Sequence, residues 1–105
     1  MEDPSREEDR PRSENQTAES GPEVPRPEHA QLRALGWAVR KRRAALGISQ
    51  EKLGEVAGLH RNYVGGIERG EHNVSFLNLR NLARGLEVDL AELARRIDAE
   101  LETLS

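Results

Sequence analysis

All five prolines of this 105-residue chain stand before residue 29, and none follows. Proline removes a backbone donor and clashes with the preceding helical turn, so the remaining 77 residues are free of the strongest helix breaker. Within them the apolar side chains recur every three or four residues, the period of a helix with one buried face. Neither the alternation of a strand nor an internal repeat is present. These two patterns constrain the chain to a small all-α domain behind a non-helical leader.

Punctuation within the helical stretch divides it into five helices. Leu32, Leu35, Val39 and Leu46 mark one face of the first, which Gly47 ends as a glycine C-cap. Ser49 is a good N-cap for a short second helix, Gln50 to Ala57, with Leu53, Val56 and Ala57 facing inward; Gly58 ends it. The third covers residues 60–69, with His60 near its N-cap and Val64 and Ile67 as its buried pair, and Gly70 closes it. Ser75 caps a fourth carrying Phe76, Leu79, Leu82, Ala83 and Leu86. Asp89 caps a fifth bearing Leu90, Leu93, Ala94, Ile97, Leu101 and Leu104. Two short helices such as the second and third cannot bury their faces alone, so the others must close a core around them.

Residues 1–28 hold four basic and nine acidic side chains, a net of −5, and Val24 is nearly their only large apolar group. Such a segment cannot bury enough apolar surface to offset its ordering entropy, which predicts a disordered tail over 1–28 and a folded domain over 29–105. The tail reads either as an acidic arm that competes for a basic face or tethers a partner, or as a solubilising leader. The other 77 residues hold 12 basic and 10 acidic side chains, a net of +2, so the overall charge of −3 does not exclude a nucleic-acid partner. There is no cysteine and there are three histidines, too few convergent ligands for a metal site. No nucleophile with a base, no phosphate loop and no paired carboxylates point to an enzyme, and no cofactor is expected. No long apolar run and no export signal is present, which gives a cytoplasmic expectation and no membrane partner.

The segments GISQEKLGEVAGL, VGGIERGEHNVS and LARGLEVDLAEL, spread over about Leu35 to Leu93, resemble the Cro and phage-repressor (XRE) type of helix-turn-helix DNA-binding domain. Leu53, Ala57, Leu59, Val64 and Ile67 occupy that family's apolar core positions. Gly54 stands where a small residue lets helices two and three cross closely, and Gly58 stands at the tight turn. The resemblance implies a five-helix, lambda-repressor-like domain and a sequence-specific transcriptional regulator of double-stranded DNA. Its third helix would enter the major groove. It also implies an ion pair between Arg43 and Glu68, with a structural role.

For DNA contact the resemblance points first to Gln50, which in family repressors clamps a phosphate and braces the first reader of helix three. A helix N-terminus favours that role; a plain helix former after a cap is the alternative. Arg61 suits guanine O6 and N7, and Asn62 suits adenine N6 and N7; the other readings are that each is merely solvated or that Arg61 grips a phosphate. Tyr63 is similar to a DNA-facing position of restriction-modification controller proteins, with a core role as the competing reading. His60, Arg69, His72 and Asn73 flank the helix near the phosphate backbones.

The sequence HRNYVGGIERGE places two adjacent glycines, Gly65 and Gly66, in the middle of that helix at a cost of roughly 1 kcal/mol each relative to alanine. Relatives often carry a base-reading side chain where Gly66 stands, so the expectation is a bare middle that lets the backbone approach the duplex. Arg40 to Arg43 form a basic run that a helix spreads around its circumference, with Arg42 where the family is frequently apolar. Trp37 lies off the main stripe, either partly buried or stacked on a partner.

Leu90, Leu93, Ile97, Leu101 and Leu104 form a stripe longer than a small core needs, which suggests a homodimer through the fifth helix; packing back on helices one and four is the alternative. A second function class remains: an antitoxin or adaptor that binds a protein partner through the acidic tail or the C-terminal helix, with DNA binding secondary or lost.

Overall fold

The computed structural model describes residues 27–104, with side chains from His29 onward. The expected disordered acidic tail lies outside the described residues, apart from its last two positions. Five helices follow in order: α1 (Pro27–Leu46), α2 (Gln50–Ala57), α3 (Arg61–Glu68), α4 (Phe76–Gly85) and α5 (Leu90–Leu104). No strand occurs among the described residues. The first helix starts two residues before the expected boundary at His29. Pro27 is compatible with that start, because the first helical position has no intrahelical use for an N–H.

The helix boundaries follow local chemistry. Ser49 Oγ accepts from the Lys52 N–H at 2.9 Å, Ser75 Oγ from the Asn78 N–H at 3.1 Å and Asp89 Oδ1 from the Glu92 N–H at 2.7 Å. Each satisfies one of the donors left over in a first turn. Gly47 and Gly58 end α1 and α2 at φ +72° and +73°, in the left-handed region where a Cβ is penalised. The corresponding position after α4 is not glycine. Glu87 takes φ +63°, while the Val88 N–H reaches back to the Ala83 carbonyl at 3.0 Å.

α5 packs chiefly along α1, α2 against α3 and α4, and α3 against α1. The core between them holds Leu35, Val39, Leu53, Val64, Ile67, Leu82, Leu86 and Leu93, all buried. Two expected core residues are displaced outward. Val56 is 40 % exposed and Phe76, in the first turn of α4, is 61 % exposed. Val56 sits at a rim, where its Cγ2 borders the surface of Gly85. The Phe76 ring lies under the Arg80 guanidinium, 5.8 Å from its centroid, and is not packed in the core.

The stripe on α5 is divided: Leu93 and Ile97 face the core, whereas Leu90, Leu101 and Leu104 are half-buried. Leu93 is fully buried, so it cannot belong to a dimer surface as expected, and Ile97 packs against the same core. Lys41 of α1 and Glu100 of α5 meet at 2.8 Å and tie the two helices further along. Arg42 is accounted for by an end-cap: its Nε donates to the Leu86 carbonyl at 2.8 Å, where α4 runs out of internal donors. Trp37 is 44 % exposed, with Arg40 and Lys41 both over its ring at 5.7 and 5.9 Å.

Candidate nucleic-acid interface

α2, a short turn and α3 form the site. Their close crossing depends on Gly54, because a Cβ there would run into the Leu59 carbonyl oxygen and lie 3.3 Å from the Arg61 nitrogen. Both are backbone atoms with no freedom to move aside. The Leu59 N–H donates to the Gly54 carbonyl at 2.7 Å, which fixes the turn. His60 then caps α3: its Nδ1 accepts from the Asn62 N–H at 3.0 Å. A neutral ring that accepts at Nδ1 carries its proton on Nε2, so that edge alone is left for a ligand oxygen.

Beneath the site lies the Arg43–Glu68 pair. Arg43 donates from Nε to Glu68 Oε2 at 2.6 Å and from a terminal nitrogen to Oε1 at 3.0 Å. Its other terminal nitrogen donates to the Ile48 carbonyl at 2.9 Å. The Glu68 side chain is 3 % exposed and that of Arg43 17 %. The hydrogen bond to Glu68 holds the guanidinium above its ordinary pKa, against the opposing effect of burial. The pair joins the last turns of α1 and α3.

The same carboxylate also orients Gln50, whose Nε2 donates to Glu68 Oε1 at 3.0 Å. Gln50 is thereby braced from α3, through Glu68, and no bond to Arg61 or Asn62 forms part of that bracing. Its Oε1 rests 3.3 Å from where a Cβ on Gly65 would stand, and the Arg69 guanidinium rests 3.1 Å from the same point. A shallow concavity lined by Gln50, Glu51, Arg61, Asn62, Gly65 and Arg69 results.

Arg61 and Asn62 are exposed at the start of α3, with the Arg61 guanidinium 3.8 Å from Glu51. Tyr63 is half-buried against the core, and its ring meets that of His72 at a centroid distance of 4.7 Å, tilted by 34°. The packing reading of Tyr63 therefore holds for the free protein. Arg69 pairs with Glu71 at 2.8 Å. This hydrogen bond holds the Arg69 pKa up and the Glu71 carboxyl below the usual carboxylate range. Asn73 is exposed in the loop beyond.

Gly66 departs from expectation. It is buried and does not form a bare strip, because the His72 ring covers it: a Cβ there would strike His72 Nε2 and lie 2.6 Å from Cδ2. Gly65 is likewise buried, under Gln50 and Arg69. The two glycines act as a floor for side chains that come from elsewhere. Gly36 was missed by sequence reasoning. A Cβ on it would lie 2.6 Å from the Ile67 carbonyl and 2.5 Å from that of Glu68, so it sets how closely α1 backs α3. Its signal was a glycine directly beside Leu35 on the buried stripe of α1. Among the described residues no group of His, Cys, Asp and Glu is assembled to hold a metal, and no helix is long and apolar enough to cross a membrane.

A short helix, a glycine turn and a second short helix with an open polar face, held on a core of three others, define a helix-turn-helix protein. The chain belongs to the helix-turn-helix family, whose profile matches residues 39–93. It is 43 % identical over 62 residues to the control protein C.SmaI of Serratia marcescens, covering 59 % of this chain and 74 % of that one. Among solved structures it is similar to the restriction-modification controller protein C.AhdI from Aeromonas hydrophila, with 47 % identity and a TM-score of 0.59 over 61 % of this chain and 97 % of that one. It is also similar to the controller protein C.Esp1396I, solved as a tetramer in complex with its natural 35-base-pair operator. There the identity is 30 % and the TM-score 0.64, over 68 % of this chain and 93 % of that one.

Proposed function

We propose that this protein is a sequence-specific, double-stranded-DNA-binding transcriptional regulator of the restriction-modification controller kind. It acts as a homodimer that places α3 in the major groove, works in the cytoplasm and catalyses no reaction. One observation carries the reading: Arg61 and Asn62 stand exposed at the N-terminus of an α3 that is clamped from behind by the buried Arg43–Glu68 pair. Rigid presentation of a guanidinium and an amide at the end of a helix is the arrangement that reads base edges. The likeness to C.Esp1396I, solved on its operator, supports the same reading.

In this reading Arg61 bonds guanine O6 and N7, and Asn62 bonds adenine. Gln50, His60 Nε2, Arg69 and Asn73 hold phosphates on either side, and Tyr63 adds a hydroxyl at the margin. The dimer contact falls to the half-buried Leu90, Leu101 and Leu104 and to the edge of Ile97, because Leu93 is spent in the core. Leu77 joins that contact, being 69 % exposed and lining one hollow with Leu90.

Selection of bound duplexes from a random library tests the proposal. Two half-sites with centres about one helical turn apart are expected, with affinity falling steeply as salt rises. Arg61→Ala should abolish the preference at one position of each half-site. A wild-type protein that enriches no sequence would sink the reading.

A further inference from the structure

The middle of α3 carries no side chains of its own, yet it is covered. Asn62 and Gly66 are four residues apart and share a face of the helix, with Gly65 and Arg69 beside them. Along that row Asn62 is exposed, and where the next side chain would project, the His72 imidazole lies over Gly66 instead. The ring is held from the side by Tyr63 at 4.7 Å, and Tyr63 is itself anchored against the core. The backbone reinforces the seat: the Glu71 N–H donates to the Gly66 carbonyl at 2.9 Å, so the chain folds back over α3 one residue before His72. The Glu71 carboxylate, paired with Arg69, stands beside the ring, its Oε1 3.5 Å from where a Gly66 Cβ would be, so the imidazole is the donor at this place in the row and the carboxylate is already engaged by Arg69.

We infer that His72 is a base-reading residue, which replaces in space the side chain that Gly66 lacks and directs an imidazole N–H at a purine edge. This rests on the proposed regulator function and extends it from the start of α3 to its middle. An imidazole N–H is a donor; purine N7, guanine O6 and thymine O4 are major-groove acceptors, whereas cytosine presents only its amino donor there, and N7 is the acceptor that both purines share. Gly66 is then a positioning residue. Any side chain at that place displaces the ring, and because the obstructing atoms belong to a side chain, the helix itself tolerates the change.

The test compares selected sequence profiles, and affinities for the wild-type optimum, for the wild-type protein and three variants. His72→Ala should flatten a purine preference at one position of each half-site and weaken binding to the optimum about tenfold, the size of one good base contact, leaving random-sequence DNA binding unchanged. Gly66→Ala keeps the imidazole but removes its seat, and should flatten the same position while helicity by circular dichroism is retained. Arg61→Ala should alter a different position. If Arg61→Ala changes the profile while either His72→Ala or Gly66→Ala keeps the wild-type one, or if His72→Ala weakens all sequences equally, the inference is overturned and the regulator reading stands. If the wild-type protein selects no sequence, both fall.

Discussion

Replacing Arg43 by methionine keeps most of the aliphatic stem and removes the guanidinium. Three hydrogen bonds are lost, two to Glu68 and one to the Ile48 carbonyl. The Glu68 carboxylate, 3 % exposed, keeps only the Gln50 amide. Stranding a buried charge costs about 3–5 kcal/mol. The 17 % exposure of Arg43 shows that water can reach the vacated space, which places the expected loss near the lower end, about 3 kcal/mol. A domain of this size has about 4–12 kcal/mol in total, so Arg43→Met should lower Tm by about 12–24 °C. Urea unfolding followed by far-ultraviolet circular dichroism measures it, for the parent, Arg43→Met, Glu68→Gln and the double variant. If the cost is the stranded charge, the double variant should recover at least about 1 kcal/mol relative to Arg43→Met alone. An Arg43→Met protein within about 1 kcal/mol of the parent, or two losses that simply add, would refute the reasoning.

Four further outcomes are expected. Gly36→Ala and Gly54→Ala should each destabilise the fold by about 2 kcal/mol or more despite the better helix propensity of alanine, because the new Cβ meets backbone carbonyls; a gain in either denaturation midpoint would contradict this. Glu87→Gly should stabilise by about 0.5–1 kcal/mol by relieving the left-handed conformation at φ +63°, measured by thermal unfolding. Glu71 is held below the ordinary carboxylate range by Arg69, so its contribution to stability is complete above the unfolded pKa and is lost as pH falls through the lower folded value; in a carboxyl NMR titration Arg69→Gln should move the Glu71 midpoint up. Leu77→Glu should weaken the proposed homodimer at least about a hundredfold in sedimentation, since two leucines would leave the proposed contact and two charges enter it, while monomer helicity is unchanged.

The element order was legible from the chain alone because a helix boundary is a local event. Ser49, His60, Ser75 and Asp89 each bond a backbone N–H two or three residues away, and Gly47 and Gly58 need only their own φ to end a helix. The Arg43–Glu68 pair was legible by a different route, through resemblance, since nothing local joins residues 25 apart. What spacing could not reveal was how far each apolar face is covered. Val56 and Phe76 stand at inward spacing, but whether they are buried depends on how far the neighbouring helices extend over them. The α5 stripe was ambiguous for the same reason, and only its packing on α1 assigned Leu93 to the core.

The glycines divide along that line. Gly58 is explained by its own backbone angle, so the sequence sufficed. Gly36, Gly65 and Gly66 are explained by what lies against them: carbonyls of another helix, the Gln50 and Arg69 side chains, and the His72 ring. The sequence by itself determined five helices, their caps and the exposed Arg61 and Asn62 at the start of α3. The tertiary structure alone decided that the two glycines are a covered floor, because a missing side chain leaves only space, and space is filled by residues that no local pattern brings together.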